Sequence, residues 1–319
     1  MFGNLGAETG STHEESAMND RPCVFIHTNH RQIVGAIVAE YSFRRNSRHA
    51  DAFDVRIIST EDYPFLKARE GQTYLREGRQ VRWEYENLQS FTPLRFMPPE
   101  LMGYQGRALV VDPDVFAVGE CWELLTRDLG DAAIGARKRT GNKGRLGCWA
   151  SSVMVLDCAR LTHWKCEENF DELFDGRRDY MDWICLRLEP EGSIQLIGDR
   201  WNDFDRLTPE TRLIHNTHRA TQPWKTGLPR DFNFASKRVD IRRPATWIRP
   251  FVRLKRAFGP AVYLPHPDPA QERFFFGLLK ECVEQNLITE EMLRHEIAQE
   301  HVRPDAFEVL DRTETLAAQ

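Results

Sequence analysis

Apolar positions along this chain recur in two alternating periods. A short apolar run, Cys23 to His27, ends in the polar pair Thr28 and Asn29, and the following QIVGAIVAEYSFRRNS carries its apolar residues at helical spacing, interrupted by Gly35. A second run, Phe53 to Ile58, stops at a polar cluster over 59–62. Strand, helix and strand in that order predict a mainly parallel α/β sheet flanked by helices, whose ligands sit beyond the carboxyl ends of the strands. Thr28 and Asn29 stand at such an end. Residues 67–90 are strongly charged and read as exposed helix or loop, and 91–107 are punctuated by proline and glycine. Four apolar residues, Ala108 to Val111, then run into Asp112 and Asp114, and a stretch suited to a helix follows. Near the end of the chain, Asp268 can cap a helix that starts at Pro269, with Gln271 completing a capping box, and Thr289 can cap another.

A length of 319 residues with 41% apolar and 29% charged content suits one large domain, or a core domain with an appendage. The reading divides it into a disordered segment over 1–20, an α/β domain over 21–236, and a basic segment with C-terminal helices over 237–319. A formal net charge of -5 gives the whole molecule no attraction for nucleic acid. Locally, residues 237–256 hold eight Lys or Arg against one Asp, interleaved with Trp247 and Phe251. Such a segment suits weak peripheral contact with a membrane surface, or a scaffold whose arginines pair with nearby acids. Pro244 and Pro250 and the acidic remainder of the chain favour the scaffold. Neither a secretory start nor a run of about 20 apolar residues is present, so the expected location is the cytoplasm. Seven cysteines form no Cys-x-x-Cys pair and read as reduced thiols, mostly in the core.

Asp112 and Asp114 are the residues most open to a chemical reading. Side chains at i and i+2 of an extended segment point the same way, and Pro113 cannot donate to a sheet ladder, so the pair belongs at a strand's end, facing one point. Two carboxylates can hold a hard divalent ion and leave coordination positions for diphosphate oxygens. A turn with two solvated acids has the same short pattern.

Its surroundings extend the pattern. Arg95-Phe96, Pro98-Pro99-Glu100-Leu101, Gly106-Arg107-Ala108-Leu109, Asp112-Pro113-Asp114 and Glu123-Leu124-Leu125 follow one another, and RLIHNTHRATQPWKTG closes the region at 212–227. Over roughly residues 22–230 the chain resembles glycosyltransferase family 8. The resemblance implies a GT-A-type fold with a helical C-terminal appendage, and an enzyme that takes a sugar from a nucleotide-sugar, a UDP-sugar by analogy, through an oxocarbenium-like sugar and with retention of configuration. The acceptor would be a carbohydrate or lipid-linked hydroxyl. It implies a metal on Asp112, Asp114 and His215, manganese in preference to magnesium because imidazole nitrogen is among the ligands. His218 is the competing ligand. Asp112 would face the donor's diphosphate, and Asp182 would stand beside the reacting sugar. Thr28 and Asn29 could hydrogen-bond the base and ribose or simply form a turn, and Arg95 could pair with a phosphate or with a neighbouring acid.

The chain departs from the family at several places. Gln222 stands where a lysine normally precedes Pro-Trp and supports the leaving phosphate, with Lys225 or Arg219 as substitutes, while Ala150 and Ser152 replace an Asn and a Gly, and Trp183 replaces a glutamine. These departures keep two alternatives in view: a nucleotidyltransferase, or a nucleotide-sugar-binding protein without turnover.

Overall fold

A computed structural model describes residues 21–139, 148–230 and 262–316. The segment 1–20 and the basic segment 237–256 lie outside the described residues. The chain forms two compact units, with the boundary between His215 and Asn216.

The first unit is a mixed α/β sheet flanked by helices. In chain order its strands are β1 (Cys23–Thr28), β2 (Asp54–Ser59), β3 (Thr73–Arg76), β4 (Arg79–Arg82), β5 (Arg107–Val111), β6 (Val115–Ala117), β7 (Ile134–Lys138), β8 (Trp149–Asp157), β9 (Ile194–Leu196), β10 (Asp203–Phe204) and β11 (Leu213–His215). The main sheet runs β2-β1-β5-β8-β7-β9, a smaller one β10-β11-β6, and β3 pairs with β4 alone. β2, β1 and β5 are parallel, as the opening pattern requires. β8 runs antiparallel to both β5 and β7, and β9 is parallel to β7, so the sheet is mainly parallel as expected, with the one reversed strand β8. Buried on both faces, β1 and β5 are near-continuous apolar runs.

Helix α1 (Ile33–Arg45) follows β1 as its spacing predicted. The expected helix after Asp114 is instead β6, because Val115–Ala117 find an antiparallel partner in β11, and only one helical turn, Trp122–Leu125, follows. The charged stretch 67–90 contains the β3–β4 hairpin. Glu77 and Gly78 both take positive φ, at 50° and 69°, as a two-residue hairpin turn of the right twist demands. Two further helices, α2 (Cys166–Phe174) and α3 (Tyr180–Ile184), belong to this unit.

The second unit carries α4 (Pro269–Glu284), α5 (Glu290–Ala298) and α6 (Ala306–Arg312). Asp268 and Thr289 cap α4 and α5 as expected, accepting from the backbone N–H of Ala270 and Met292. The expected capping box on α4 does not form: Gln271 is buried, and its Oε1 accepts from Asn216. No helix among the described residues is long and apolar enough to cross a membrane.

The thiol reading needs one correction. Cys23, Cys121, Cys158, Cys166 and Cys282 are buried thiols outside any disulfide. Burial pushes the first three thiols up to about 12, which leaves them inert. Cys148 and Cys185, however, form a disulfide across 37 residues, brought together by the start of β8 and the end of α3.

Candidate metal centre

β5 delivers Asp112 at its carboxyl end, where the backbone turns. The Asp112 N–H donates to Ser152 O, and the Val115 N–H donates back to Asp112 O, so Asp112, Pro113 and Asp114 form a tight turn between β5 and β6. α1 holds this turn from behind. Ser42 Oγ accepts from the Ala117 N–H at 2.8 Å, Asn46 Nδ2 donates to Ala117 O at 2.7 Å, and the Pro113 carbonyl oxygen would lie 2.7 Å from a Cβ placed on Gly35.

His215 ends β11, which pairs antiparallel with β6 and so runs past the turn. Its Nε2 lies 3.2 Å from Asp114 Oδ1 and 4.0 Å from Asp112 Oδ2. Asp112, Asp114 and His215 thus place one ligand atom each within 4.8 Å of one another, the group among the described residues that can hold a metal ion. His218 belongs to the second unit, where its Nδ1 bonds Thr221 Oγ1 at 2.9 Å.

The donor set fits a cation closely. Asn202, wholly buried, gives Nδ2 to Ser152 Oγ at 3.2 Å and accepts from His215 Nδ1 through Oδ1 at 2.8 Å. With the proton on Nδ1, the Nε2 lone pair faces the two carboxylates. Electron-rich atoms converging in this way repel one another until a cation lies between them. Asp112 is already heavily bonded: Oδ1 accepts from His27 Nε2 at 2.6 Å and Arg95 Nε at 2.9 Å, and Oδ2 accepts from Arg95 Nη2 at 2.5 Å. One lone pair on Oδ2 remains, on the side of His215, so Asp112 can offer a single bond to a metal.

Electrostatics agree with this assignment. Burial opposes charge on Asp112, yet the Arg95 guanidinium and the His27 hydrogen bond hold its carboxyl well below the usual carboxylate range. Burial likewise pushes the His27 imidazole down, and its bond to Asp112 only partly offsets that, so His27 is a neutral donor. A break in the β7–β8 register completes the site. Ala136 pairs with Met154 but Arg137 pairs with Ala150, so β8 carries extra residues at 151–153. Within that bulge Ser151 Oγ accepts from Arg95 Nη1 at 2.9 Å and Ser152 supports Asn202. One serine therefore steadies the partner of Asp112, and the next steadies the partner of His215.

The remaining expected site residues are placed as follows. Thr28 is buried with its hydroxyl on Asn29 O at 3.1 Å, and Asn29 donates to Ser90 Oγ at 3.2 Å, closing the end of β1 onto the 87–90 loop. Asp182 lies on α3 at the surface and pairs with Arg187 at 2.8 Å. Gln222 and Lys225 belong to the second unit and are buried, Gln222 near Asn216 O and the Lys225 ammonium over the Tyr263 ring at 5.5 Å. His27, Asn202 and Ser151 were not singled out from sequence. Each acts through contacts across the fold, and only the position of His27 two residues before Asn29 hinted at a role.

No family profile matches the chain, and no curated protein matches it. Solved structures do. A galactosyltransferase, LgtC, bound to donor and acceptor sugar analogues, overlaps 75% of this chain and 96% of its own at 15% identity and a TM-score of 0.45. The glycosyltransferase GlyE of Streptococcus pneumoniae, in its apo form, overlaps 78% of this chain and 66% of its own at 16% identity and a TM-score of 0.44. Mouse xyloside xylosyltransferase 1 overlaps 61% and 97% at 12% identity and a TM-score of 0.39. These overlaps are of general outline, and the chemistry of this chain is read from its own side chains.

Proposed function

We propose that this chain is a metal-dependent glycosyltransferase of GT-A type that moves a sugar from a UDP-sugar to an acceptor hydroxyl, with manganese as its metal and retention of configuration. The observation that carries the reading is the Asp112–Asp114–His215 group, with its imidazole oriented by Asn202 and a single lone pair of Asp112 left toward it. Asp112 Oδ2, the Asp114 carboxylate and His215 Nε2 would hold the ion. When bound, such an ion supplies Lewis-acid neutralisation of a departing diphosphate.

The chain's own groups carry the rest. Arg95, fixed by Asp112 and Ser151, keeps a permanent positive charge at the inner wall. Thr28, the last residue of β1, and Asn29, just beyond it, take the nucleoside side. Asp182 takes the sugar side. We place the reaction in the cytoplasm, where closure of Cys148–Cys185 would need local protection from reduction.

Calorimetric titration with UDP, with and without manganese, tests the reading. Wild-type affinity should depend on the ion, and folded Asp114→Ala should lose the metal-dependent part. His215→Ala should weaken manganese binding by about 10 to 100-fold or more, and His218→Ala by less. Metal-dependent UDP affinity that survives intact in Asp114→Ala removes the assigned site. Release of pyrophosphate from a nucleoside triphosphate in place of UDP from a nucleotide-sugar would replace a glycosyltransferase with a nucleotidyltransferase.

A further inference from the structure

Three consecutive cations span the end of β7, Arg137 and Lys138 within it and Arg139 just beyond, and each lies over an aromatic ring. The Arg137 and Arg139 guanidinium carbons lie 4.2 and 5.6 Å from the centre of the Phe204 ring, and the Lys138 ammonium lies 5.7 Å from the Trp149 ring. Alternation along an extended segment explains the division, since i and i+2 share a face. Phe204 is also the neighbour of the candidate metal ligand: it pairs with His215 in the β10–β11 register, and the two rings meet edge-on at 5.5 Å.

The two arginines differ in burial. Arg137 is largely buried and pairs through Nε and Nη2 with Asp199, both at 3.0 Å, while Nη1 donates to Asn202 O. It secures the segment that orients His215. Arg139 is exposed on the same ring.

Charge decides what Arg139 is suited to hold. Asp112 and Asp114 together offset a divalent ion, so a phosphate-bearing ligand beside them brings negative charge that the metal corner alone does not neutralise. A guanidinium laid on an aromatic face keeps its edge donors in one plane, the geometry that binds oxyanions through two parallel hydrogen bonds. We propose that Arg139, on its Phe204 platform, is a phosphate-binding residue of this site. The inference rests on the functional reading above and adds a substrate contact to it. The phosphate has two possible sources, the donor's diphosphate or a phosphorylated acceptor.

Calorimetry on Arg139→Gln in the full chain separates them. In one arm UDP is titrated with manganese; in the other, inorganic phosphate is titrated onto protein saturated with UDP and manganese. A loss of about tenfold in the first arm supports the proposal and assigns the donor, and a similar loss confined to the second supports it and assigns the acceptor. Affinity for manganese alone should not change, and Arg139→Lys should recover part of the loss by restoring charge without the planar fork. Unchanged affinity in both arms, or an equal fall in manganese affinity, overturns the proposal while leaving the glycosyltransferase reading intact. Wild-type protein that binds no UDP with metal removes both.

Discussion

Two acid-bearing corners of the first unit are built in opposite ways. At the end of β5, Asp112 is buried, its partner Arg95 is itself held by Ser151, and the facing His215 is held by Asn202, which rests on Ser152. On α3, the Asp182 side chain is 42% exposed and meets Arg187 in an ion pair open to solvent, while the next residue, Trp183, turns inward to stack on Phe96 with ring centres 4.4 Å apart. In the first corner Asp112 and His215 are each bonded to a buried group that is itself held by a serine of β8. In the second, packing has been given to the tryptophan and the acid is left to the solvent. Carboxylates that must meet a common point need the first arrangement, because a long-range electrostatic fit is only as good as the rigidity behind it.

The contrast can be broken most severely at Arg95. Arg95→Met leaves Asp112 buried with only His27 as donor, and should destabilise the fold by about 3–5 kcal/mol in urea unfolding at neutral pH. The sign of the pH dependence follows from the depressed Asp112 pKa. Its contribution is complete above the ordinary carboxylate value of about 4, and is lost as pH falls toward the lower folded value. The variant should therefore show a shallower loss of stability on the acid side than wild type. Equal acid limbs in the two proteins would mean that Arg95 is not what holds Asp112 ionised.

A milder intervention releases the imidazole without touching a ligand. Asn202→Ala should lower manganese affinity by about 10 to 100-fold, with UDP affinity in the absence of metal unaffected. Should the metal affinity stay at the wild-type value, Asn202 packs beside His215 without orienting it. The smallest effect is expected at the open corner: Asp182→Ala should change stability by no more than about 0.5 kcal/mol and leave metal affinity alone. Any defect there should appear in sugar transfer, measured as UDP release against hydrolysis.

The difference between the corners also explains what could be read from the sequence. Asp112 and Asp114 alone share their pattern with a turn of two solvated acids, and His215 alone reads as a structural histidine; the order of the motifs around them singled out all three. Asp112's supports were not legible. His27 lies 85 residues from Asp112, and Ser151 lies 56 from Arg95, so nothing local marks either pairing. β6 read as helix because its spacing is helical and its partner strand comes nearly a hundred residues later. The β3–β4 hairpin was hidden by charge: Arg79 to Arg82 is exposed throughout, so no alternation of buried and exposed positions marks that strand. The disulfide depends on an encounter that Cys spacing does not encode.

Gly35 shows how tightly the back of the site is set. In sequence it merely interrupts an apolar helix, where glycine is worse than alanine by roughly 0.5–1 kcal/mol. A programme of thermostabilisation would therefore choose it early, since replacing helical glycines with alanine is a standard route to higher melting temperature. Here the added methyl would meet the Pro113 carbonyl at 2.7 Å, a backbone atom held between the two carboxylates. The helix would have to retreat, or the turn would have to tilt. For an engineer the position is a trap: the substitution that general rules recommend is the one that would shift Asp112 and Asp114 away from their common point.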